Sequence, residues 1–304
     1  MSYRFWRFDS ADITAEPLQV FTYPMGDVTV KGRPTTGGAH VLHVATSRPD
    51  FSLIRQWLQL VTTHGDDGRP PATVLFMPYL PGARGDKDVP NTASVNAELT
   101  AACGPDLLVT LDPHSDRWLD AYRGFCDRRG SANAVGRNME YLRLDLPTVV
   151  ANAVAGRTYD AVIAPDAGAF DRASAVSAQL DLPVIVCSKH RDPETGRLSG
   201  YRTPDLGSKP RTFLVVDDIC DGGGTFALLA DTVPEQHVLD LWVTHGGFTK
   251  GPGPLKRYRN IFTTNSFVRG RPGPIGLRLT AVDLLPYLAA ALARRVGNTT
   301  GGTR

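Results

Sequence analysis

The stretch LVVDDICDGGGTF, residues 214–226, predicts a buried strand, a glycine-rich loop and the start of a helix. The apolar residues before position 217 are typical of a strand, which ends at two adjacent carboxylates, Asp217 and Asp218. Three glycines then let the backbone turn tightly and bring its N–H groups close to an anion. Thr225 adds a hydroxyl donor, and a helix from about position 226 would add the positive end of its dipole. The loop is therefore expected to hold a phosphate.

The paired acids must serve another part of the ligand, because they would repel a phosphate. Adjacent carboxylates suit vicinal hydroxyls, with or without a metal ion. A phosphate beside a diol describes a ribose 5-phosphate moiety. The alternative is a turn that only connects a strand to a helix. The loop matches neither G-x-x-x-x-G-K-[ST] nor G-x-G-x-x-G, which argues against a Walker-type or dinucleotide site.

Outward from this stretch, short apolar runs alternate with helical patterns along the chain. Continuous Val/Ile/Leu runs followed by helices are typical of parallel sheets covered on both faces. We therefore predict an α/β fold with two doubly wound parallel-sheet domains. Strands are predicted at 39–46, 72–80, 106–114, 160–168, 183–190, 212–220 and 238–246, and helices at 51–64, 93–104 and 280–295.

The domain boundary is predicted near Asp145, where the strand–helix rhythm restarts after a polar, irregular stretch over 123–140. This gives an N-terminal domain over 1–146 and a C-terminal domain over 147–304. The helix over 280–295 is expected to pack back on the N-terminal domain, and 297–304 to be a disordered tail. Polar residues gather where the strands end, which is where open α/β sheets bind ligands.

Composition excludes several classes of function. The chain has 304 residues and a formal net charge of +2, so it lacks the broad basic surface of a nucleic-acid-binding protein. No apolar stretch approaches the length of a transmembrane span, so no membrane partner is expected. The four cysteines show no C-x-x-C spacing, which indicates reduced, mostly buried thiols in a cytoplasmic protein.

The loop over 214–226 resembles the phosphoribosyl-pyrophosphate-binding signature of type I phosphoribosyltransferases. Within that superfamily, the chain from about residue 20 to about residue 290 is similar to ribose-phosphate pyrophosphokinases. These enzymes use ATP and Mg²⁺ to convert ribose 5-phosphate to phosphoribosyl pyrophosphate. The resemblance implies an active site between the two domains and a homo-oligomer, dimer or hexamer. Six further segments carry it: YPMGDVTV (23–30), MPYLPGARGDKD (77–88), TLDPHSD (110–116), IAPDAGAFDRA (163–173), SKHRD (188–192) and VTHGGF (243–248).

The resemblance also implies the roles of individual residues. Asp217 and Asp218 would hold the ribose hydroxyls. Lys189 and Arg191, at the start of a flexible loop that runs from 190 to 208, would stabilise the pyrophosphoryl group during transfer. His114 and Asp166 would hold the metal ion. The 5-phosphate would be bound by Asp221, Gly222, Gly223, Gly224 and Thr225, and ATP by Tyr23, Asp27, Arg84, Asp86 and His114.

Four positions depart from the family pattern. Gly85 follows the nucleotide-binding arginine, where glutamine is common, and Gly222 stands where Thr or Ser is usual. Met25 replaces an acid in the adenine segment, and Ala169 replaces the second glycine of the metal-proximal turn. Smaller residues at 85 and 222 would open the ribose-phosphate end of the site. We therefore keep ADP-ribose as an alternative acceptor, as in divergent pyrophosphokinase-like proteins of bacteriophage NAD⁺ salvage. A phosphoribosyltransferase or a non-catalytic regulatory homologue is the second alternative.

Overall fold

The computed structural model describes residues 2–10, 12–64, 70–128, 130, 138–191, 198–267 and 278–300. The chain divides into two compact units. The first consists of 1–144 together with 284–304, and the second of 145–283.

The first unit is built on a six-stranded sheet with the order β2-β1-β5-β6-β7-β8. Strands β5 to β8 are parallel, while β1 and β2 form an antiparallel edge. A separate hairpin, β3–β4, packs on helix α1, where Val30 N–H donates to Gln56 Oε1 at 3.2 Å. The strands are β1 (Tyr3–Asp9), β2 (Asp12–Ala15), β3 (Leu18–Thr22), β4 (Val28–Gly32), β5 (Ala39–Val44), β6 (Ala72–Phe76), β7 (Leu107–Thr110) and β8 (Glu140–Arg143). The helices are α1 (Phe51–Thr62), α2 (Thr92–Cys103), α3 (Arg117–Arg128) and α7 (Leu285–Thr300), which is numbered by its place in the chain.

The first two helices form where the sequence predicts them. Asp50 caps α1 by accepting from Leu53 N–H at 3.1 Å, as expected of an aspartate at this position. Its buried face carries Leu53, Ile54, Trp57, Leu58 and Val61, the apolar set that predicts the helix. Helix α2 ends at a glycine in the left-handed conformation at position 104, because that conformation costs glycine little.

The second unit contains a six-stranded sheet in which every pair is parallel, with the order β10-β9-β13-β14-β15-β16. Its two central strands, β13 and β14, are almost entirely buried. The predicted α/β class with parallel sheets is confirmed in both units, with an unpredicted antiparallel edge in the first. The strands are β9 (Ala161–Ala164), β10 (Val184–Val186), β11 (Ser188–Arg191), β12 (Leu198–Arg202), β13 (Thr212–Cys220), β14 (Val238–Gly246), β15 (Tyr258–Thr264) and β16 (Arg278–Val282), and the helices are α4 (Leu146–Ala153), α5 (Phe170–Leu180) and α6 (Gly224–Ala230).

Two predicted segments differ from the structure. The stretch 123–140, predicted to be irregular, begins inside α3, whose buried face includes Tyr122 and Cys126. The helix predicted over 280–295 begins instead at Leu285, because 278–282 forms strand β16. Pro286 then occupies the first turn, where the missing N–H costs nothing. The helix continues to Thr300, so 297–300 is helical where a disordered tail was predicted, and 301–304 lie outside the described residues.

The four cysteines are buried and form no disulfide, as predicted. Burial raises the pKa of Cys103 to about 12 and does the same for Cys220. Such thiols are poor nucleophiles. Among the described helices, none is long and apolar enough to cross a bilayer.

Candidate active site

The acid pair lies within strand β13. The strand continues through both acids to Cys220, the end of the predicted range 212–220, where it still pairs with Gly246 of β14. Asp217 and Asp218 are therefore held by a buried strand near its carboxyl end. The side chain of Asp218 is 6 % exposed and that of Asp217 is 14 % exposed.

Arg172 bridges both acids, and the sequence interpretation missed it. Its Nη1 lies 3.2 Å from Asp217 Oδ1 and its Nη2 lies 3.4 Å from Asp218 Oδ2. Nη1 also donates to Gly168 O at 3.4 Å, in the turn that follows β9. The arginine belongs to α5, in the segment 163–173. Two adjacent acids in an apolar strand need a nearby cation, and this requirement could have pointed to it.

The charge state of the pair is set by opposing effects. Burial raises the pKa of Asp217, and repulsion from Asp218 raises it further. The Arg172 guanidinium acts in the opposite direction and lowers the pKa of Asp217. Because Arg172 is itself only 11 % exposed, water screens its attraction weakly. The net result is a pKa of Asp217 well above the ordinary aspartate value, and the arginine limits that rise.

The glycine-rich loop follows directly. Gly223 has φ +77°, the left-handed conformation that glycine adopts without strain, and α6 begins at the next residue. The loop is tied to the segment after β14: Thr249 Oγ1 donates to Asp221 Oδ1 at 2.7 Å, and Thr249 N–H donates to Asp221 O at 2.8 Å. The predicted phosphate-binding residues thus lie next to the acid pair on one continuous stretch of backbone.

The two unusual glycines do not open the site. A Cβ on Gly85 would lie 2.0 Å from Thr92 Oγ1, so this glycine permits a close approach of α2. A Cβ on Gly222 would lie 3.2–3.4 Å from Cδ, Cε and Cγ of Lys250. Side chains from elsewhere in the chain therefore fill both places. The expectation that these glycines create room for a larger acceptor is wrong.

Asp166 caps a short turn at the carboxyl end of β9. Its Oδ1 accepts from Gly168 N–H at 2.7 Å, which fixes the orientation of the carboxylate. A Cβ on Gly168 would lie 3.0 Å from that oxygen, which explains why the first glycine of the motif is present. Ala169, at the second glycine position, is buried and has φ −90°, which needs no glycine.

Lys189 and Arg191 lie on β11, which pairs with β12 in an antiparallel ribbon. Part of the segment predicted to be a flexible loop, 190–208, is therefore a strand pair, with Lys189 opposite Tyr201 in the register. Residues 192–197 lie outside the described residues. The ribbon begins directly after β10. Strand β10 pairs in parallel with β9, the strand that ends in the Asp166 turn.

The first unit brings two of the predicted ATP-binding segments together. Asp86 is buried, and its Oδ2 accepts from Ser115 Oγ at 2.7 Å. Its carbonyl accepts from Arg117 Nη1 at 3.2 Å. Asp86 thus joins the segment that carries Arg84 to the turn that carries His114. Both of those side chains are exposed.

The predicted adenine segment is the tip of the β3–β4 hairpin. Tyr23 N–H donates to Asp27 O at 2.8 Å, which closes the turn. Tyr23 is 44 % exposed and Met25 is 95 % exposed. The Lys31 ammonium lies 4.8 Å from the Tyr23 ring centroid. Within the first unit, this hairpin presents an aromatic ring to solvent.

Known proteins with similar sequences include a phosphoribosyl transferase domain family and several ribose-phosphate pyrophosphokinases. Residues 148–238 match the family described as "Phosphoribosyl transferase domain". The ribose-phosphate pyrophosphokinase of Maricaulis maris is 27% identical over 95% of this chain and 90% of its own length. That of Streptomyces avermitilis is 25% identical over 91% of this chain and 84% of its own length. The predicted resemblance to the ribose-phosphate pyrophosphokinases is confirmed.

A solved structure extends the agreement to the fold. The phosphoribosylpyrophosphate synthetase of Mycobacterium smegmatis superposes with a TM-score of 0.68 at 20% identity, covering 95% of this chain and 93% of its own. The likeness in fold therefore includes both units. Within the described ranges, no three His, Cys, Asp or Glu side chains cluster as a metal site. The predicted pair, His114 and Asp166, stays a prediction.

Proposed function

We propose that this chain transfers the β,γ-pyrophosphoryl group of ATP to the 1-hydroxyl of ribose 5-phosphate. The products are phosphoribosyl pyrophosphate and AMP. The observation that carries the proposal is the buried pair Asp217–Asp218, charge-compensated by Arg172 and continuous with the glycine-rich loop. It provides acceptors for a diol at one end and backbone donors for a phosphate at the other. The pyrophosphokinases named above, similar over nearly the whole chain, support this reaction.

In this reaction, the 1-hydroxyl oxygen bonds to the β-phosphorus while the bond from that phosphorus to the bridging α,β-oxygen breaks. AMP leaves with that oxygen, and the hydroxyl proton is released to water. Phosphoryl-type transfer depends mainly on positioning and on neutralising the transferring oxygens. Lys189 and Arg191 would supply that neutralising charge. Asp217 and Asp218 would orient the sugar by accepting hydrogen bonds from its 2- and 3-hydroxyls.

Of the two residues proposed for Mg²⁺, Asp166 supplies the oxygen ligand that this ion prefers, and the His114 imidazole, a nitrogen donor, would hold it through a bound water. Asp166 offers a carboxylate whose orientation is fixed by Gly168 N–H, and His114 is an exposed imidazole. Magnesium usually takes few protein ligands and completes its shell with water and phosphate oxygens. When bound, it would neutralise the triphosphate of ATP.

We also propose that the protein works as a cytoplasmic homo-oligomer. The exposed Tyr23 and the turn closed by Asp27 would then complete the adenine pocket of a neighbouring subunit, together with Arg84. The four buried, unpaired cysteines support a reducing compartment. Size-exclusion chromatography with light scattering tests the assembly; a monomer at working concentrations would contradict it.

The reaction is tested by comparing acceptors. With ATP and Mg²⁺, ribose 5-phosphate should yield one AMP per acceptor consumed, and ADP-ribose should yield none. Loss of the 2-hydroxyl in 2-deoxyribose 5-phosphate should lower kcat/KM about 10–100-fold, because the buried acids then lack a donor. Equal turnover of the deoxy acceptor would contradict the role of the acid pair. Consumption of phosphoribosyl pyrophosphate and a base, without AMP formation from ATP, would indicate a phosphoribosyltransferase instead.

A further inference from the structure

The side chain of Lys250 lies across the glycine-rich loop. A Cβ on Gly222 would be 3.2 Å from its Cδ, 3.3 Å from its Cε and 3.4 Å from its Cγ. Three consecutive methylene groups therefore cover the loop residue that has no side chain of its own. The ammonium nitrogen is one further bond, about 1.5 Å, beyond Cε. A positive charge thus lies beside the loop that is proposed to hold the 5-phosphate.

The backbone that carries Lys250 is fixed to the same loop. Gly247 N–H donates to Cys220 O at 2.7 Å, and Thr249 N–H donates to Asp221 O at 2.8 Å. The Thr249 hydroxyl also donates to the Asp221 carboxylate, at 2.7 Å. These three hydrogen bonds, and a fourth from Phe248 N–H to Cys220 O at 3.1 Å, would be lost if the segment moved away. The lysine is positioned by the fold and is not on an independent surface loop.

A cation at this end of the site would offset several negative charges. A phosphate monoester carries nearly two negative charges, and the loop itself carries the Asp221 carboxylate, with Asp217 and Asp218 directly upstream on the strand. Arg172 is already engaged with the upstream pair. Backbone N–H groups can surround a phosphate, but they do not neutralise it. Lys250 is exposed, and its stem contacts the loop.

We propose that Lys250 binds the 5-phosphate of the acceptor, and that Gly222 is the residue that makes this contact possible. The inference rests on the proposed function. It identifies a cationic side chain that would bind the 5-phosphate and that lies outside the glycine-rich loop. A β-branched residue at 222 would occupy the space of the Lys250 stem. The two positions therefore form one specificity element for a phosphate monoester.

The test is direct binding of ribose 5-phosphate and of inorganic phosphate, measured by calorimetry without ATP. Lys250→Met keeps an unbranched stem and removes the charge, whereas Lys250→Ala removes both. The Kd for both ligands should rise about 10–100-fold in each variant. Lys256→Met, an exposed lysine further along the same connection, serves as the matched control and should bind like wild type. An unchanged Kd in Lys250→Met, with weakened binding only in Lys250→Ala, would show a packing role and overturn the proposal.

A double-mutant cycle tests the second half of the proposal. Gly222→Thr should weaken ribose 5-phosphate binding in the wild-type background but change it little in a Lys250→Ser background. Equal losses in both backgrounds would exclude coupling between the two positions. Because binding is measured without turnover, wild type that binds ribose 5-phosphate but forms no AMP would contradict the proposed reaction and leave the Lys250 site intact. Wild type that binds neither ligand would overturn the Lys250 site.

Discussion

Replacing Arg172 with methionine should destabilise the second unit strongly, and the loss should depend on pH. The guanidinium makes two contacts, 3.2 Å to Asp217 and 3.4 Å to Asp218. All three side chains are at most 14 % exposed, so solvent cannot replace the lost cation. Removing one partner from a buried ion pair costs about 3–5 kcal/mol, because it leaves an uncompensated charge. We expect a loss of that size in the free energy of unfolding at pH 7.5.

The pH dependence follows from the pKa of Asp217. Burial and repulsion from Asp218 already raise this pKa, and Arg172 opposes the rise. In Arg172→Met the pKa of Asp217 should rise further. The folded variant then binds a proton at a pH where the unfolded chain, with an aspartate pKa of about 3.9, does not. Its stability should therefore recover as the pH falls towards the folded-state pKa, and the difference from wild type should shrink.

Hydrogen exchange of the β13 amides in urea measures the free energy of unfolding of the second unit separately from that of the first. Arg128→Met is the matched control, because its ion pair with Glu98 has a similar distance, 3.3 Å, but the two side chains are 63 % and 49 % exposed. Hydrogen exchange of the α3 amides measures the effect of losing that pair. The free energy of unfolding of Arg128→Met should stay within about 1 kcal/mol of the wild-type value. A loss below 1 kcal/mol in Arg172→Met, or a loss of equal size at pH 7.5 and pH 5.5, would refute the reasoning.

Three further predictions test other parts of the account. Lys189→Met and Arg191→Met should each lower kcat about 10²–10⁴-fold while the Kd of ribose 5-phosphate changes little; an increase in KM at unchanged kcat in steady-state assays would exclude a role in transfer. Gly85→Ala should lower the stability of the first unit by about 1–3 kcal/mol in chemical denaturation, because its Cβ meets Thr92 Oγ1 at 2.0 Å, and Thr92→Ala should restore most of the loss. Asp240→Asn should cost about 1.5–3 kcal/mol near neutral pH, because Tyr159, Arg259 and Asn260 lose the charged acceptor of their hydrogen bonds, while the Arg259 guanidinium is 45 % exposed and stays solvated. Burial raises the pKa of Asp240, but bonds from an arginine, an asparagine and a tyrosine outweigh burial and lower it, so in urea titrations this stability should begin to fall below about pH 3.9 and be lost only as the pH passes through the lower folded-state pKa.

The parts of the fold that could be predicted are those with a local cause. Strands β5, β6, β7, β9, β13 and β14 are nearly continuous buried apolar runs, and α1 has one apolar face. Strands β1 to β4 gave no such pattern, because they are only partly buried and alternate irregularly between buried and exposed positions. The position of α7 depended on Pro286, which fits the first turn of a helix but not its interior.

The site could be predicted only where a motif is continuous in sequence. Asp217, Asp218 and the glycines adjoin one another, so their chemistry can be inferred from the sequence. Arg172 lies 45 positions before Asp217, and Lys250 lies 28 positions after Gly222. No local sequence pattern connects either residue to the acid pair or the glycine-rich loop. The error over Gly222 has the same origin: a sequence shows which side chain is missing at a position but not which distant side chain fills the space.

The identity of the adenine nucleotide released from ATP tests the central claim most directly. Purified protein would be incubated with ATP, Mg²⁺ and ribose 5-phosphate, and the nucleotides and the sugar product resolved by chromatography and phosphorus NMR. Attack at the β-phosphorus predicts AMP and a pyrophosphoryl ester at C1 in equal amounts. Release of ADP with a single phosphate on the sugar, or no acceptor-dependent change in ATP, would contradict the account.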